Sequence, residues 1–172
     1  MVNASVIERA HRRGSRILLN AAPAHALSLD LLQQVDVLVV NATEAVTLAH
    51  LLGWPTAPVE FAASACASNR GALIVIVTLG AEGALAVDRN NVFNVRPPAI
   101  QAVDTTGAGD AFVGVLACAL DARTSLSGAL RAAVTAGTLA CGTIGAQTAM
   151  PYHDAITELS AAVTVEWAAP PR

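Results

Sequence analysis

Three short apolar runs constrain this chain most: Arg16–Asn20 (R-I-L-L-N), Asp36–Val40 (D-V-L-V-V) and Leu73–Thr78 (L-I-V-I-V-T). A strand with one wet face alternates apolar and polar residues. These runs carry apolar side chains on both faces, so each reads as a strand buried on both sides. Between them the apolar spacing becomes helical. Asn3–Arg13 puts Val6, Ile7 and Ala10 on one face and stops at Gly14. Ser28 caps a helix over Leu29–Val35, Asn41-Ala-Thr-Glu44 opens one that runs to Leu52 and ends at Gly53, and Val59–Asn69 closes at Gly71. Strands alternating with helices predict an α/β fold, a mostly parallel sheet flanked by helices on both faces.

After Thr78 the pattern changes. Ala84–Asp88 and Val92–Arg96 pair as a hairpin across Arg89-Asn90-Asn91, and Ala99–Val103 follows Pro97-Pro98 as a further strand. Gly109–Leu120 and Leu126–Cys141 are long apolar helices, Gly142–Ala149 is a loop of small residues, and His153–Ala162 is a last helix. The expectation is one domain over 1–165 and a disordered tail over 166–172. Aromatics make up only 3% of the chain, so the core must be built from Ala, Val and Leu. In parallel sheets, ligands bind beyond the carboxyl ends of the strands. Asn20, Asn41, Thr78 and Asp104 would all end strands there.

Charge excludes several functions. A net charge of −3 leaves no footprint for nucleic acid or an anionic membrane. All ten basic residues are arginine, which excludes the P-loop lysine and the lysine of protein kinases. Any phosphate must then be met by backbone N–H groups, a metal or arginine. Cys66, Cys118 and Cys141 show no metal or redox spacing and read as buried free thiols. His11, His25, His50 and His153 follow no ligand spacing and read as surface residues. No apolar run reaches the ~18 residues of a membrane span, and Met1–Gly14 is unlike a signal peptide. The expectation is a soluble, cytoplasmic protein.

The chemistry concentrates in Asp104-Thr105-Thr106-Gly107-Ala108-Gly109-Asp110-Ala111-Phe112. A tight turn with glycines at 107 and 109 leads into a helix, whose unpaired first N–H groups and positive dipole end suit an anion. Asp110 falls in the first helical turn. Beside a bound phosphate, a carboxylate has one evident use, taking a proton from an attacking hydroxyl. Read alone, the same string is also compatible with a threonine N-cap, a plain glycine turn and a dipole-matched aspartate. The dinucleotide fingerprint G-x-G-x-x-G fits poorly, since Phe112 stands where its third glycine belongs.

The nine residues resemble, almost one for one, the C-terminal signature of the ribokinase (pfkB) family of sugar and nucleoside kinases. The resemblance implies a ribokinase-like, Rossmann-like fold, with Gly107, Ala108 and Gly109 as the anion hole for the transferred phosphate and Asp110 as the base. Two further motifs fit. Asn41-Ala42-Thr43-Glu44 reads by itself as a capping box; by resemblance, Asn41 contacts the nucleotide and Glu44 organises Mg²⁺ through its waters. Thr78-Leu79-Gly80-Ala81-Glu82-Gly83 reads by itself as a glycine turn and resembles the family's nucleotide loop, implying Thr78, Gly80 and Gly83 as nucleotide contacts, together with Thr105 and Gly142. Gly142–Ala149 resembles the loop that closes the adenine pocket and a monovalent-cation (K⁺) site, where Asp104 would supply a carboxylate and Thr106, Ala140, Thr143 and Gly145 carbonyls. Ala133 stands where the family carries a polar adenine contact.

The resemblance covers residues 3 to 160 and concerns the C-terminal half of family members. The N-terminal strands, the lid and the sugar contacts have no counterpart here. The implied activity is ATP-dependent phosphorylation of a sugar or nucleoside hydroxymethyl. Two alternatives stay open, a truncated and inactive nucleotide-binding fragment and one half of a split kinase. The open partners are accordingly a second copy or a separate N-terminal half. A dinucleotide-binding oxidoreductase fragment fits least.

Overall fold

The computed structural model describes residues 2–24 and 27–169. Within them the elements run α1 (Val2–Arg12), β1 (Leu18–Asn20), α2 (Leu29–Leu32), β2 (Val37–Asn41), α3 (Ala42–Leu52), α4 (Pro58–Ser68), β3 (Ile74–Thr78), β4 (Ala84–Val87), β5 (Val92–Arg96), α5 (Ala108–Asp121), α6 (Leu126–Ala140), α7 (His153–Ser160) and β6 (Thr164–Ala168). The six strands form a mixed sheet in the order β1-β2-β3-β4-β5-β6, flanked by helices. The chain divides into two compact units. Met1–Leu79, Leu85–Val92 and Trp167–Arg172 make the first, and Gly80–Ala84 with Phe93–Glu166 the second.

In the first unit the doubly buried runs behave as their composition demands. β1, β2 and β3 pair in parallel, Leu18 opposite Val37 and Val37 opposite Ile74. Val37–Val40 and Val75–Val77 are all buried. Leu48 and Ala49 of α3, and Phe61, Ala62 and Ala65 of α4, pack in the same cluster. Trp54 lies tilted against Phe61, ring centroids 6.0 Å apart. Gly53 ends α3 in the left-handed region at φ 70°, where a side chain would be strained. α4 closes differently from expectation: Asn69 ends it in extended backbone, accepting the Gly71 N–H on Oδ1 (2.6 Å) and donating to Leu32 O (2.7 Å).

The second unit is built on α5 and α6. Ala111, Phe112, Leu116 and Leu120 form the buried stripe of α5; Ala129, Leu130, Ala133, Val134, Ala136 and Ala140 that of α6. The small residues let the helices approach closely, to the point where a Cβ on Gly137 would stand 3.3 Å from Ala108 O. Arg131 donates to Ser160 O (3.3 Å) and Val163 O (2.6 Å), tying α6 to the end of α7.

Four expectations are corrected. Ala99–Val103 is no strand: Pro97 and Pro98 remove two ladder donors, Ile100 and Val103 are exposed, and the Val103 and Asp104 N–H groups donate to Cys141 O instead (2.8 and 3.3 Å). Asp104 therefore does not end a strand. The tail expected to be disordered from 166 begins inside β6, whose T-V-E-W-A sequence has the alternation and β-branched and aromatic content of a strand; residues 170–172 lie outside the described ones. Cys118 is exposed, because it lies on α5 away from the Phe112–Leu116–Leu120 stripe. α2 stops at Leu32, short of Val35. His11, His50 and His153 are exposed as expected, and His25 lies outside the described residues.

Candidate active site

In the first unit, Asn20, Asn41 and Thr78 stand at the carboxyl ends of the three parallel strands, with Asn41 and Thr78 in register. Asn41 leaves β2 and caps α3. Its Oδ1 accepts the Glu44 N–H (2.8 Å) and its own N–H donates to Glu44 Oε2 (2.8 Å), which completes a capping box. Oε1 of Glu44 has no partner among the described residues and is free to take a water. Thr78 Oγ1 donates to Val40 O at 3.4 Å.

In the second unit, Gly80–Glu82 forms a 3₁₀ turn that Gly83 closes, donating its N–H to Gly80 O (3.0 Å). Gly83 is irreplaceable on two counts. Its φ is +93°, and a Cβ there would lie 2.0 Å from Val95 O. Gly80 is left-handed as well, but a Cβ there would meet nothing within 4 Å.

The 104–112 stretch folds into a turn and a helix start. Gly107, at φ 81°, is the N-cap of the 14-residue α5 and supplies no side-chain cap. A Cβ there would press on the backbone of Ala146, 3.0 Å from its Cα and 3.1 Å from its O. Ala108 donates its N–H back to Thr105 O (3.2 Å). The N–H groups of Gly107, Gly109 and Asp110 have no partner among the described residues, so three donors are open at the positive end of the helix. Space above Gly109 is empty, since a Cβ there meets nothing within 4 Å. Asp110 is exposed in the first turn of α5, and its carboxylate makes no hydrogen bond or ion pair among the described residues.

Asp104 holds the turn from the other side. Its Oδ1 accepts the Thr106 N–H (2.9 Å) and Thr106 Oγ1 (2.7 Å), and its Oδ2 accepts the Gly145 N–H (2.9 Å). The Thr106 hydroxyl above all, then the Gly145 and Thr106 N–H groups, stabilise the carboxylate and bring its pKa down to about 2. Asp104 thus joins the 104–110 turn to the 142–149 loop within this unit. The carbonyls of Thr106, Ala140 and Thr143 accept no hydrogen bond among the described residues, while that of Gly145 accepts the Ala149 N–H (3.2 Å). Burial, and to a lesser degree the Asp104 charge, pushes the Cys141 thiol pKa up. No group of three or more His, Cys, Asp or Glu able to hold a metal ion occurs among the described residues.

The chain is similar to known proteins over most of its length. The sequence profile described as pfkB family carbohydrate kinase matches residues 2–152. The chain belongs to the pfkB family. It is 33% identical over 151 residues to the ribokinase of Haemophilus influenzae, covering 87% of this chain and 48% of that protein. It is 31% identical over 150 residues to the ATP-dependent 6-phosphofructokinase isozyme 2 of Escherichia coli K12, with the same coverages of 87% and 48%. Its fold resembles that of Arabidopsis thaliana ribokinase complexed with ribose and ATP, with a TM-score of 0.80 and 28% identity over 92% of this chain and 52% of that one. The chain spans about half the length of the curated relatives it matches.

Two positions of this pfkB chain acquire a meaning that the sequence did not show. Ala146 seats on Gly107, and Gly137 lets α6 reach Ala108; both are contacts between distant segments with no local pattern. Asp110 also presents an open N–H beside its carboxylate, a donor that its helix position made legible. Ala133 is fully buried in α6 and has no open face for a ligand.

Proposed function

We propose that this pfkB chain carries the phosphate-handling half of an ATP-dependent phosphotransferase that acts on a hydroxymethyl of a sugar or nucleoside, and that residues 1–165 correspond to the C-terminal, nucleotide-binding half of such a kinase. The observation that carries the reading is the left-handed turn at Gly107. It leaves open N–H donors, empty space above Gly109 and an unpartnered Asp110 at one helix end. Phosphoryl transfer asks a protein mainly for positioning and charge stabilisation. The Gly107–Gly109 loop, with the Asp110 N–H, stabilises charge that develops on the transferred group, and Asp110 takes the proton of the acceptor hydroxyl.

The nucleotide contacts in this reading are Asn41, Thr78, Gly80, Gly83, Thr105, Gly109 and Gly142. When bound, Mg²⁺ would neutralise phosphate charge and keep several of its waters. Glu44 has one uncommitted carboxylate oxygen and no neighbouring carboxylate cluster, which fits contact through water and not direct ligation. Asp104 and the free carbonyls of Thr106, Ala140 and Thr143 fit a monovalent cation such as K⁺, a chemistry of oxygen donors without a metal cluster; Gly145 contributes through the same loop. A cytoplasmic location belongs to the same proposal.

A second reading is favoured by the coverage of about half of the Haemophilus influenzae ribokinase and of the Escherichia coli phosphofructokinase. Here the chain is a nucleotide-binding fragment, or one half of a split kinase completed by a separate chain or a second copy. Calorimetric titration with a non-hydrolysable ATP analogue and Mg²⁺ tests the shared premise. Binding that weakens in Gly109→Ala supports the phosphate site. Absence of binding by folded protein refutes it. Turnover of ribose or fructose 6-phosphate by the chain alone would refute the fragment reading.

A further inference from the structure

We propose that the first unit carries a second ligand site, a surface cavity of about 350 Å³ beside α4 and β4, for a small carboxylate with an aliphatic body. The cavity is lined by Ala63, Cys66 and Ala67 of α4, by Val87 at the end of β4, and by Asn69, Asp88 and Arg89. It lies at the start of β3: the Cys66 thiol reaches the carbonyls of Leu73 and Val87, both at 3.4 Å. Thr78 ends the same strand, roughly 16 Å away at ~3.3 Å per residue. The inference therefore does not rest on the kinase reading.

The lining selects the ligand's chemistry. The two polar groups near the floor already have partners. The Asn69 amide serves Leu32 O and the Gly71 N–H, and the thiol serves two carbonyls. That leaves little at the floor for a sugar hydroxyl or a nucleobase edge, and the alanine and valine walls offer hydrocarbon contact. The charged groups differ in how far they are committed. Asp88 anchors its turn, its Oδ1 accepting the N–H groups of Asn90 (2.7 Å) and Asn91 (2.8 Å) and both its oxygens the Asn91 amide. Arg89 donates from Nη2 to Arg70 O (2.9 Å) and makes no ion pair among the described residues. Most of its five donors stay open in the planar fork that matches a carboxylate. A monoanion balances one guanidinium. A phosphate monoester would bring surplus negative charge beside Asp88. At about 30 Å³ per water, the volume holds on the order of ten waters, enough for a ligand of six to eight heavy atoms.

The test uses 4-methylpentanoate as probe, with 4-methylpentanamide as the uncharged isostere and 3-methylbutyl phosphate as the dianion, titrated calorimetrically into the whole chain. The expected result is saturable binding of the carboxylate with a dissociation constant on the order of 1 mM. The amide, and the carboxylate with Arg89→Gln, should each bind about tenfold more weakly. Ala63→Phe should fill the cavity and abolish the heat. Arg89 is exposed, so its variant should keep the fold, which thermal unfolding checks. No saturable binding, equal affinity of the amide, or unchanged affinity in Arg89→Gln would overturn the site. Tighter binding of the phosphate would overturn the carboxylate assignment.

Discussion

Gly107 and Gly109 sit two residues apart in the same turn, yet alanine should act oppositely at the two positions. At 107 the backbone is left-handed, and a Cβ would stand 3.0–3.2 Å from three atoms of Ala146. The left-handed conformation costs an L-residue about 1–2 kcal/mol. The contact falls on backbone, which cannot rotate aside, so a further cost in the range of about 1–3 kcal/mol for overpacking applies. Gly107→Ala should therefore lose on the order of 2–5 kcal/mol of a total stability of about 5–15 kcal/mol. In urea, with a slope of about 2 kcal/mol/M, the unfolding midpoint should fall by about 1–2.5 M. Gly109 has ordinary backbone within α5, and its Cβ would meet nothing. Alanine there replaces the worse helix former and should hold or raise stability by about 0.5–1 kcal/mol. Its methyl would nonetheless stand in the space that a phosphate would fill, so affinity for the ATP analogue should drop at least about tenfold, or ~1.4 kcal/mol. Equal midpoints for the two variants would refute the backbone argument. A stable Gly109→Ala with undiminished affinity would refute the anion hole.

Asp110→Asn should leave ATP-analogue affinity within about twofold and, where turnover is measurable, cut kcat by a factor of about 10²–10⁴, which steady-state kinetics with an acceptor sugar would read. Glu44→Gln keeps a residue able to complete the capping box, so the unfolding midpoint should hold while the Mg²⁺ titration of analogue binding shifts to higher concentration; an unchanged titration would leave Glu44 with the cap alone. Gly83→Ala should be the most damaging single-methyl change, costing more than about 3 kcal/mol, because the added carbon would lie 2.0 Å from Val95 O; soluble protein with a wild-type midpoint would contradict the hairpin geometry. The stability contributed by Asp104 should depend on pH with a definite sign. Its folded pKa of about 2 lies below its ordinary 3.8, so the contribution is complete above about pH 4 and disappears as pH falls through 3.8 towards 2. The midpoint difference between wild type and Asp104→Asn should be constant from pH 5 to 7 and shrink on acidification below about 4.

What could be read in advance was what the chain decides locally. β2 and β3 were legible because a run apolar on both faces has few homes other than a covered strand. The start of α3 was legible because Asn41 and Glu44 satisfy each other's backbone within one turn. The misreadings share a cause. Ala99–Val103 looks like a strand by composition, but the Val103 N–H goes to Cys141, about forty residues on, after two prolines have removed ladder donors. β6 was missed for the converse reason: four of its five residues are exposed, so it lacks the apolar run that marks a buried strand and keeps only the weaker period of two. Cys118 was assigned to the core from an apolar neighbourhood, when only its angle around α5 decides.

The candidate site repeats the division at finer scale. A left-handed residue at 107 follows from glycine placed before a helix, and open donors follow from any helix start. Why exchanging this glycine is costly does not follow, because the obstacle is Ala146, held in place by a loop that itself hangs on the carboxylate of Asp104 through Gly145. The turn is thus fixed from both ends of the 104–146 segment, by a hydrogen bond to a charge and by a contact that a methyl would crowd. One consequence separates this coupling from a merely local turn. Asp104→Asn removes the charge that holds Gly145, and it should loosen the seat of Ala146 on Gly107. Gly107→Ala should then cost less in the Asp104→Asn background than in wild type, so that the double variant is more stable than additivity allows. Strict additivity in a double-mutant cycle would show that the loop and the turn are held independently, and the 142–149 segment would then have no part in shaping the phosphate site.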